Sequence, residues 1–256
     1  MAFSHAADDI TLGRGEVYFD PFTTGTTRSG EFKYMGNTPA VALSAATTKL
    51  DHFSSDRGLR VKDKSVVLEV NYTGTLETDN MNFGNLAKFF MGSTGPVNQS
   101  SATGVSESWA SVAAKTLLQL GVTNANPQGA RNVTSVVVEG GIIPLELVLG
   151  TDYELDAATG TVHMLTAQTG VSITYNVPAV TWERTVSGGT EVKGALKIIS
   201  YNPEGTKKDI LLPYVTLSPN GDLALKGDDW LKASFNLEVL ALNSTTAAVY
   251  IDGRPA

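Results

Sequence analysis

Alternation of apolar and polar residues is the main pattern along this chain, and it predicts β-strands. The clearest run covers residues 231–241, where every odd position is apolar. Lys232, Ser234, Asn236 and Glu238 fill the even positions up to 238. Because side chains in a strand point alternately to its two faces, this run predicts a half-buried strand with one polar face.

A second alternating run covers residues 65–75 and predicts another long strand. Its apolar positions are Val66, Leu68, Val70 and Tyr72, which we expect to face the protein core. Both runs are bounded by polar, turn-forming residues. The fold class predicted from these patterns is mainly β.

Short turn motifs separate further predicted strands. Asn202–Gly205, Ser218–Gly221 and Asp156–Gly160 each combine Asn, Asp or Pro with a closing glycine. These residues favour tight turns because they supply the required backbone angles or bond to the local backbone. Three hairpins are therefore expected.

One segment has the spacing of a helix instead. Asn82 can cap its N-terminus, and Leu86, Phe89 and Phe90 recur at helical spacing. We expect one short helix over about 83–91, with these three apolar residues packed against a flank of the sheet. So short a helix is stable only when it packs on other structure.

Two stretches between the predicted strands lack a regular pattern. Residues 93–108 hold mostly small and polar side chains and predict a surface loop. We interpret 93–130 as an elaboration of a single domain that spans residues 1–256. Residues 51–64 are of mixed charge and predict a loop between two strands, long enough for a functional role to be expected.

The net charge argues against a protein that binds nucleic acid. The 256 residues include 19 basic and 26 acidic side chains, giving a formal charge of −7. Binding to phosphates usually needs a surplus of positive charge, so no specific affinity for DNA is expected. The first residues do not resemble a signal peptide, and no apolar run has the length of a membrane span, so we expect a soluble protein without membrane insertion.

Residues that carry common catalytic and metal chemistry are absent or scattered. The chain has no cysteine, which excludes disulfides, thiolate metal sites and cysteine nucleophiles. Its histidines, His5, His52 and His163, do not share a metal-binding spacing. Motifs for a phosphate-binding loop or a serine nucleophile elbow do not occur. We expect no enzyme activity, no catalytic residue, no metal and no cofactor.

Several sequence blocks follow one another in an informative order. They are Leu12–Asp20, Tyr34–Pro39, Leu50–Ser55, Asp79–Asn80 with Asn85–Gly92, and Gly150–Asp156 followed by Gly160. In this order they resemble the major tail tube proteins of long-tailed, siphovirus-like bacteriophages. The resemblance extends over most of the chain and is weakest over residues 93–130.

The resemblance implies a tail-tube-type β-sandwich or partly closed barrel with one flanking helix. It implies hexameric rings in which neighbouring sheets join into an inner barrel, and rings that stack into a conduit for genome ejection into the host. The chain would be a structural virion protein of the tail, assembled in the host cytoplasm. Its partners would be identical subunits and the tape measure, tail terminator and distal tail proteins, while double-stranded DNA passes through without specific binding.

Two groups of residues become candidates for contacts. The resemblance points to 51–64 as an inter-ring loop, whose mixed charge suits an identical neighbour, although a solvated surface loop is the alternative. Its candidate contact residues are Asp51, Phe53, Asp56, Arg57, Arg60, Lys62, Asp63 and Lys64. Because some strand face must line the lumen, the polar positions Lys232, Ser234, Asn236 and Glu238 are the candidates for that role.

A different class of function stays open at this point. Trp109, Trp182 and Trp230 could form an aromatic platform for sugars, as in a carbohydrate- or receptor-binding β-sandwich module at the tail tip. That function would require the three rings to gather on one concave surface. Packing of these residues in cores or interfaces is the simpler interpretation.

Overall fold

The computed structural model describes residues 9–56 and 58–255. Within them the chain forms eighteen strands and one helix, which confirms the mainly β prediction. In chain order the elements are β1 (Gly15–Thr24), β2 (Thr27–Arg28), β3 (Lys33–Tyr34), β4 (Ala40–Ser54), β5 (Val61–Thr78), α1 (Phe83–Phe89), β6 (Ser93–Gln99), β7 (Ala102–Val112), β8 (Thr116–Gln119), β9 (Thr134–Gly140), β10 (Leu145–Glu146), β11 (Tyr153–Asp156), β12 (Thr161–Met164), β13 (Gln168–Val177), β14 (Val180–Val186), β15 (Val192–Ser200), β16 (Lys208–Pro219), β17 (Ala233–Val239) and β18 (Tyr250–Gly253).

Contacts divide the chain into two compact units. The first unit runs to Thr94 and resumes at Thr185, and the second unit is Gly95–Arg184. The chain passes between them within β6 and β14, which pair with each other. The division differs from the predicted single domain with an elaboration at 93–130, because that stretch supplies only the first part of a larger unit.

The first unit is built on one antiparallel sheet. Its strand order is β2-β1-β15-β16-β17-β5-β4, and β3 and β18 pair with β1 and β16. The alternation predicted for β17 is confirmed, since its odd positions are buried and its even positions are exposed or half-buried. The buried residues of β17 are Ala233, Phe235, Leu237 and Val239. They pack in a core with Val17, Phe19 and Leu76 from the neighbouring strands.

Helix α1 covers this core at one side and is shorter than predicted. The Asn82 side chain accepts a hydrogen bond from the backbone N–H of Asn85 at 2.8 Å, which caps the first turn. The Phe89 ring is buried, 6.0 Å from the ring of Phe235. Phe90 is 40% exposed, and Leu86 is half-buried, so the predicted stripe of three packed residues is wrong at Phe90.

The backbone explains why the helix stops early. Phe90 is the C-cap, and Met91 takes a left-handed conformation with φ of 49°. The N–H of Gly92 then donates to the carbonyl of Ala87 at 2.8 Å, closing the helix end. No helix in the described residues has the length and apolarity needed to cross a membrane.

Lys88 lies on the packed side of this short helix. Its Nζ donates to the carbonyl of Gly84 at 3.2 Å and lies 6.0 Å from the ring centre of Phe19. Burial lowers the pKa of Lys88 to about 8, and the positive charge of Lys33 adds to the effect. The ammonium group is therefore held where its charged form is disfavoured.

The second unit has its own core and contains two sheets besides the β6-β14 pair. One sheet has the order β10-β9-β13-β7, and the other has the order β11-β12-β8. Val138, Val162, Ile173 and Tyr175 are fully buried among the residues of this core. The predicted hairpin at 156–160 is confirmed, because β11 and β12 pair directly across it.

The loop predicted over residues 93–108 is wrong. This stretch contains β6 and the first part of β7, which pairs with β13. Glu107 occupies a core-facing position on β7, where it accepts hydrogen bonds from the Tyr175 hydroxyl and, at 2.7 Å, from the N–H of Gly121. Burial and the bond to Glu107 raise the pKa of Tyr175. Because the inward-facing residue Glu107 is charged, the alternation of apolar and polar residues along β7 is not visible in the sequence.

Candidate assembly surface

The longest hairpin of the first unit extends beyond the core. β4 and β5 pair from Ala40 opposite Glu77 to Ser54 opposite Val61, with irregularities after Thr48 and His52. β17 pairs with β5 only as far as Tyr72. Beyond Tyr72 no other strand of the described residues pairs with the hairpin, and we call Ala46–Ser54 with Val61–Asn71 the distal arm. Its length is about 30 Å at the usual rise per strand residue.

The distal arm exposes apolar side chains. Val66, Leu68 and Val70 are 59%, 62% and 47% exposed, although the alternation predicted that they face the core. The predicted strand is confirmed, but the predicted burial of these three side chains is wrong. Tyr72 is half-buried against the core. The core and β17 both end at this residue, so no described strand or core residue covers the apolar side chains beyond it.

The outer edge of the sheet is also open. β4 is the last strand in the order, and within the described residues no strand pairs with its far side. A long edge strand presents free backbone N–H and C=O groups that readily pair with another chain. The apolar side chains and the free edge belong to the same hairpin, so this part of the first unit is the candidate assembly surface.

The end of the distal arm holds the residues predicted to make inter-ring contacts. The segment 51–64 was expected to be a loop, but β4 continues to Ser54 and β5 begins at Val61, so only 55–60 connects the strands. The prediction of a loop is wrong because both faces of this part of the hairpin are exposed. Charged residues on both faces give the same mixed sequence pattern as a loop. The segment nevertheless lies at the free end of the hairpin, where a contact with another copy would be made.

Cross-strand ion pairs order this end of the arm. Lys62 Nζ lies 2.7 Å from Asp51 Oδ2, and the Ser65 hydroxyl donates to Asp51 Oδ1 at 2.7 Å. These hydrogen bonds from Lys62 and Ser65 lower the pKa of Asp51. The imidazole of His52 lies 2.5 Å from the carboxylate of Asp63. Three of the predicted contact residues, Asp51, Lys62 and Asp63, are thus engaged within the arm itself.

The other predicted contact residues differ in their surroundings. The guanidinium of Arg60 lies over the Phe53 ring, 5.0 Å from its centre. Asp56 and Lys64 are exposed and form no ion pair with any described residue. Arg57 lies outside the described residues. Among the predicted contact residues, Asp56 and Lys64 are therefore charged groups without a charged partner in the described part of the chain.

The polar face of the same sheet holds the predicted lumen residues. Asn236 and Glu238 lie directly opposite Thr75 and Thr73 of β5, and Ser218 of β16 lies opposite Asn236. Together they line an open groove of about 540 Å³ over the middle of the sheet. The prediction that these β17 side chains share one exposed polar face is confirmed by the strand geometry.

The two remaining lumen candidates lie at the start of β17. Lys232 precedes the strand, and its Nζ lies 3.3 Å from Glu77 Oε1. Ser234 is half-buried and accepts a hydrogen bond from the side-chain amide of Asn220 at 3.2 Å. Another lysine on this face, Lys193, lies opposite Thr216, and its Nζ lies 2.7 Å from a carboxylate oxygen of Glu191. Lys193 and Lys232 are therefore paired with carboxylates.

The tryptophans are held in separate surroundings. Trp109 packs against the core of the second unit, and Trp182 is half-buried with the guanidinium of Arg184 6.0 Å from its ring centre. Trp230 is 86% exposed in the long connection between β16 and β17 of the first unit. Trp109 and Trp182 therefore have the surroundings of packed residues and do not supply free rings for the aromatic platform that the alternative function would require.

Sequence analysis did not identify the exposed apolar arm, although one signal was available. Val66, Val67 and Leu68 are consecutive apolar residues, which a strand with one solvent face does not need. Such a run is typical of a strand that is covered on both faces.

Comparison with known proteins gives a family and no named relative. No curated protein matches the chain. A family model described as "Protein of unknown function UCP028589" matches residues 10–250, which include nearly all of both units. The chain belongs to this family.

Proposed function

We propose that this protein is the subunit of a phage tail tube, a structural virion protein of a siphovirus-like tail. Six copies form a ring, and rings stack into a conduit for ejection of the genome into the host. The observation that carries the proposal is the distal arm, a long hairpin with exposed apolar side chains on the open edge of a sheet. The sequence blocks that resemble tail tube proteins support the same function.

In an isolated subunit, the apolar side chains and the free strand edge of the distal arm are exposed to water. A two-stranded hairpin is at best marginally stable in water, and exposed apolar patches on soluble proteins usually mark interaction surfaces. A neighbouring copy can cover Val66, Leu68 and Val70 and pair with the free edge of β4. Identical copies arranged around an axis satisfy every such surface except those at the ends of the assembly.

The polar face of the sheet has the chemistry that a DNA conduit needs. Its hydroxyl and amide groups are uncharged, and two of its lysines, Lys193 and Lys232, are paired with Glu191 and Glu77. A wall with unpaired lysines would bind phosphates through release of counterions, which would retain the genome. We assign this face, with Ser234, Asn236 and Glu238, to the lumen.

Electron microscopy with sedimentation tests the proposal. The purified protein, followed over a concentration series, should form rings or tubes about 100 Å across, the size expected for six domains around a bore as wide as DNA. A chain that stays monomeric or dimeric at every concentration contradicts the proposal. A screen for glycan binding would then test the tail-tip alternative.

A pair of variants on one strand tests the role of the distal arm. Leu68→Asp combined with Val70→Asp places charges on the apolar side chains, and we expect folded subunits that form neither rings nor tubes. Asn71→Asp adds a charge to the polar side of the same strand and is the matched control, which should assemble. Normal tubes from the double variant would show that the arm is not the assembly surface.

The end of the arm can be tested separately from its apolar side chains. Deletion of residues 57–62 removes the connecting turn and the Lys62 partner of Asp51. If this end reaches the next ring, the shortened protein should form single rings that do not stack. Tubes of normal length from the deletion variant would exclude the inter-ring role.

A further inference from the structure

An exposed loop that includes a tryptophan lies at one end of the sheet of the first unit. Residues 220–232 connect β16 to β17, and every residue from Ala224 to Lys232 is exposed. Leu225 and Trp230 are 74% and 86% exposed. Tryptophan is enriched among the residues that dominate the binding energy of protein interfaces. We call residues 220–232 the Trp230 loop, and its exposed apolar side chains mark it as a further candidate contact surface.

The Trp230 loop and the end of the distal arm lie at opposite ends of the same sheet. The loop leads into Ala233, which pairs with Thr78, the last residue of β5. The arm ends where β5 begins, at Val61. The eighteen residues of β5 therefore separate the two surfaces by about 55 Å along the strand at the usual rise per residue. One copy cannot bring these surfaces together, whereas two copies stacked end to end can.

The charges of the two surfaces are opposite in sign. Lys232 of the Trp230 loop is paired with Glu77, and the other charged residues of the loop are three aspartates and one lysine. The segment 51–64 at the end of the arm holds four basic and three acidic residues, in a chain whose formal charge is −7. The end of the arm is thus net positive on an acidic chain, and the loop is net negative. The loop residues that form no ion pair within the described chain are Asp222, Lys226, Asp228 and Asp229.

The end of the arm also offers apolar side chains to a partner. Leu59 is 78% exposed, and Phe53 is 39% exposed with the guanidinium of Arg60 over its ring. Apart from the two ion pairs formed within the arm, its described end carries Arg60 and Lys64 against one carboxylate, that of Asp56. An apolar surface with a positive surplus fits a loop that presents leucine and tryptophan beside three carboxylates.

We propose that the end of the distal arm of one copy binds the Trp230 loop of the copy stacked next to it, with Arg60 and Lys64 close to the aspartates of the loop. The partner is a second copy of this chain, because the chain supplies both surfaces and holds them too far apart to meet within one copy. The inference rests on the proposed function and names the surface that receives the arm. Every added copy repeats a contact between two different surfaces, so the contact continues into a stack.

Cysteine cross-linking in the full-length protein tests the contact, because the native chain has no cysteine. Leu59→Cys marks the end of the arm, and Leu225→Cys marks the loop. Lys207→Cys is the control, because it lies on the connection between β15 and β16, at the end of the sheet from which the arm projects. All three replaced side chains are exposed, so the fold should tolerate each change.

The expected cross-link is directional. Leu59→Cys mixed with Leu225→Cys and oxidised should give at least tenfold more cross-linked dimer than Leu59→Cys mixed with Lys207→Cys, or than either single variant alone. A chain with both Leu59→Cys and Leu225→Cys should give a ladder of products that continues beyond the dimer. A yield equal to that of the control, or a bond formed only within one chain, overturns the contact.

An exchange of charges gives a second measurement. Arg60→Glu with Lys64→Glu, and separately Asp228→Lys with Asp229→Lys, should each reduce the yield of the cross-link at least tenfold. A chain with all four changes should recover the yield, because the two surfaces have then exchanged signs. Glu204→Lys reverses an exposed charge outside both surfaces and should have no effect. An unchanged yield in both double variants overturns the charge contact.

Tryptophan fluorescence identifies what occupies the loop. Trp230 is exposed in the free subunit, whereas Trp109 and Trp182 are half-buried, so burial of Trp230 on assembly should shift the emission to shorter wavelength. Trp230→Phe should abolish this shift. A shift produced by added oligosaccharides and not by assembly would assign the loop to a sugar and overturn the proposal.

Microscopy of the same samples separates this proposal from the function on which it rests. Tubes in the native protein without a directional cross-link would overturn the arm-to-loop contact and leave the tail tube function in place. A directional ladder without rings or tubes would support the contact and contradict the tail tube function. The absence of both would overturn both proposals.

Discussion

The two halves of the β4–β5 hairpin share one sequence pattern and differ completely in burial. Near the core, Leu76 is fully buried, and Tyr72 is half-buried. In the distal arm, Leu68 and Val70 occupy alternate positions of the same strand and are exposed. The strand β17 ends between these two regions. The alternating pattern of an amphipathic strand therefore predicts which side chains form its apolar face. Whether that face is buried depends on which other elements of the subunit pack against it.

Matched leucine truncations on β5 test this difference, and the largest effect is expected from Leu76→Ala. Loss of a buried leucine leaves a cavity and should lower the free energy of unfolding by about 2–5 kcal/mol. Leu68→Ala removes the same atoms from an exposed position and should change the stability of the free subunit by less than about 0.5 kcal/mol. Denaturant unfolding of monomeric protein measures both values. Equal losses in the two variants would show that the distal arm is covered within the subunit.

The pH dependence of stability gives a second probe of the packed region, through Lys88. Its folded pKa of about 8 lies below the usual lysine pKa of 10.5, so the unfolded chain binds more protons between these two pH values. Stability should therefore rise with pH above about 8, by on the order of 1–2 kcal/mol up to pH 10. Lys88→Met keeps an aliphatic side chain near Phe19 and should remove the rise. A rise of the same size in Lys88→Met would assign it to other groups.

The smallest effect is expected at the end of the distal arm. Lys62→Gln breaks the ion pair with Asp51, but both groups face water, where such pairs contribute little. The melting temperature of the free subunit should not change measurably, and added salt should not distinguish the variant from the native protein. A clear loss of stability in Lys62→Gln would show that the ion pair between Lys62 and Asp51 stabilises the free subunit.

Sequence analysis was most successful where local pattern and burial coincide. The polar and apolar faces of β17 and the Asn82 cap follow directly from residue type and spacing. The helix end was misjudged at Phe90, because two adjacent aromatic residues hide the point at which Met91 turns left-handed. The burial of Val66 was misjudged for a different reason. Alternation of apolar and polar residues identifies the apolar face of a strand, but it does not show whether another element packs on that face.

The second unit was missed although its boundaries carry turn-forming residues. Gly95 and Pro96 follow Thr94, and Gly188 and Gly189 lie close after Arg184, but Thr94 and Arg184 lie inside the paired strands β6 and β14, so the chain changes unit within strands. The strand β7 was missed because small residues and an inward carboxylate, Glu107, replace the usual apolar alternation.

The pairing of β6 with β14 has a consequence for modularity. The chain enters and leaves the second unit on two strands that pair with each other, so the two connections lie side by side. Any autonomous domain whose own termini lie side by side meets the geometric requirement for insertion at this point. Replacement of Gly95–Arg184 by another such domain would therefore leave the sheet of the first unit and its long hairpin unchanged in sequence.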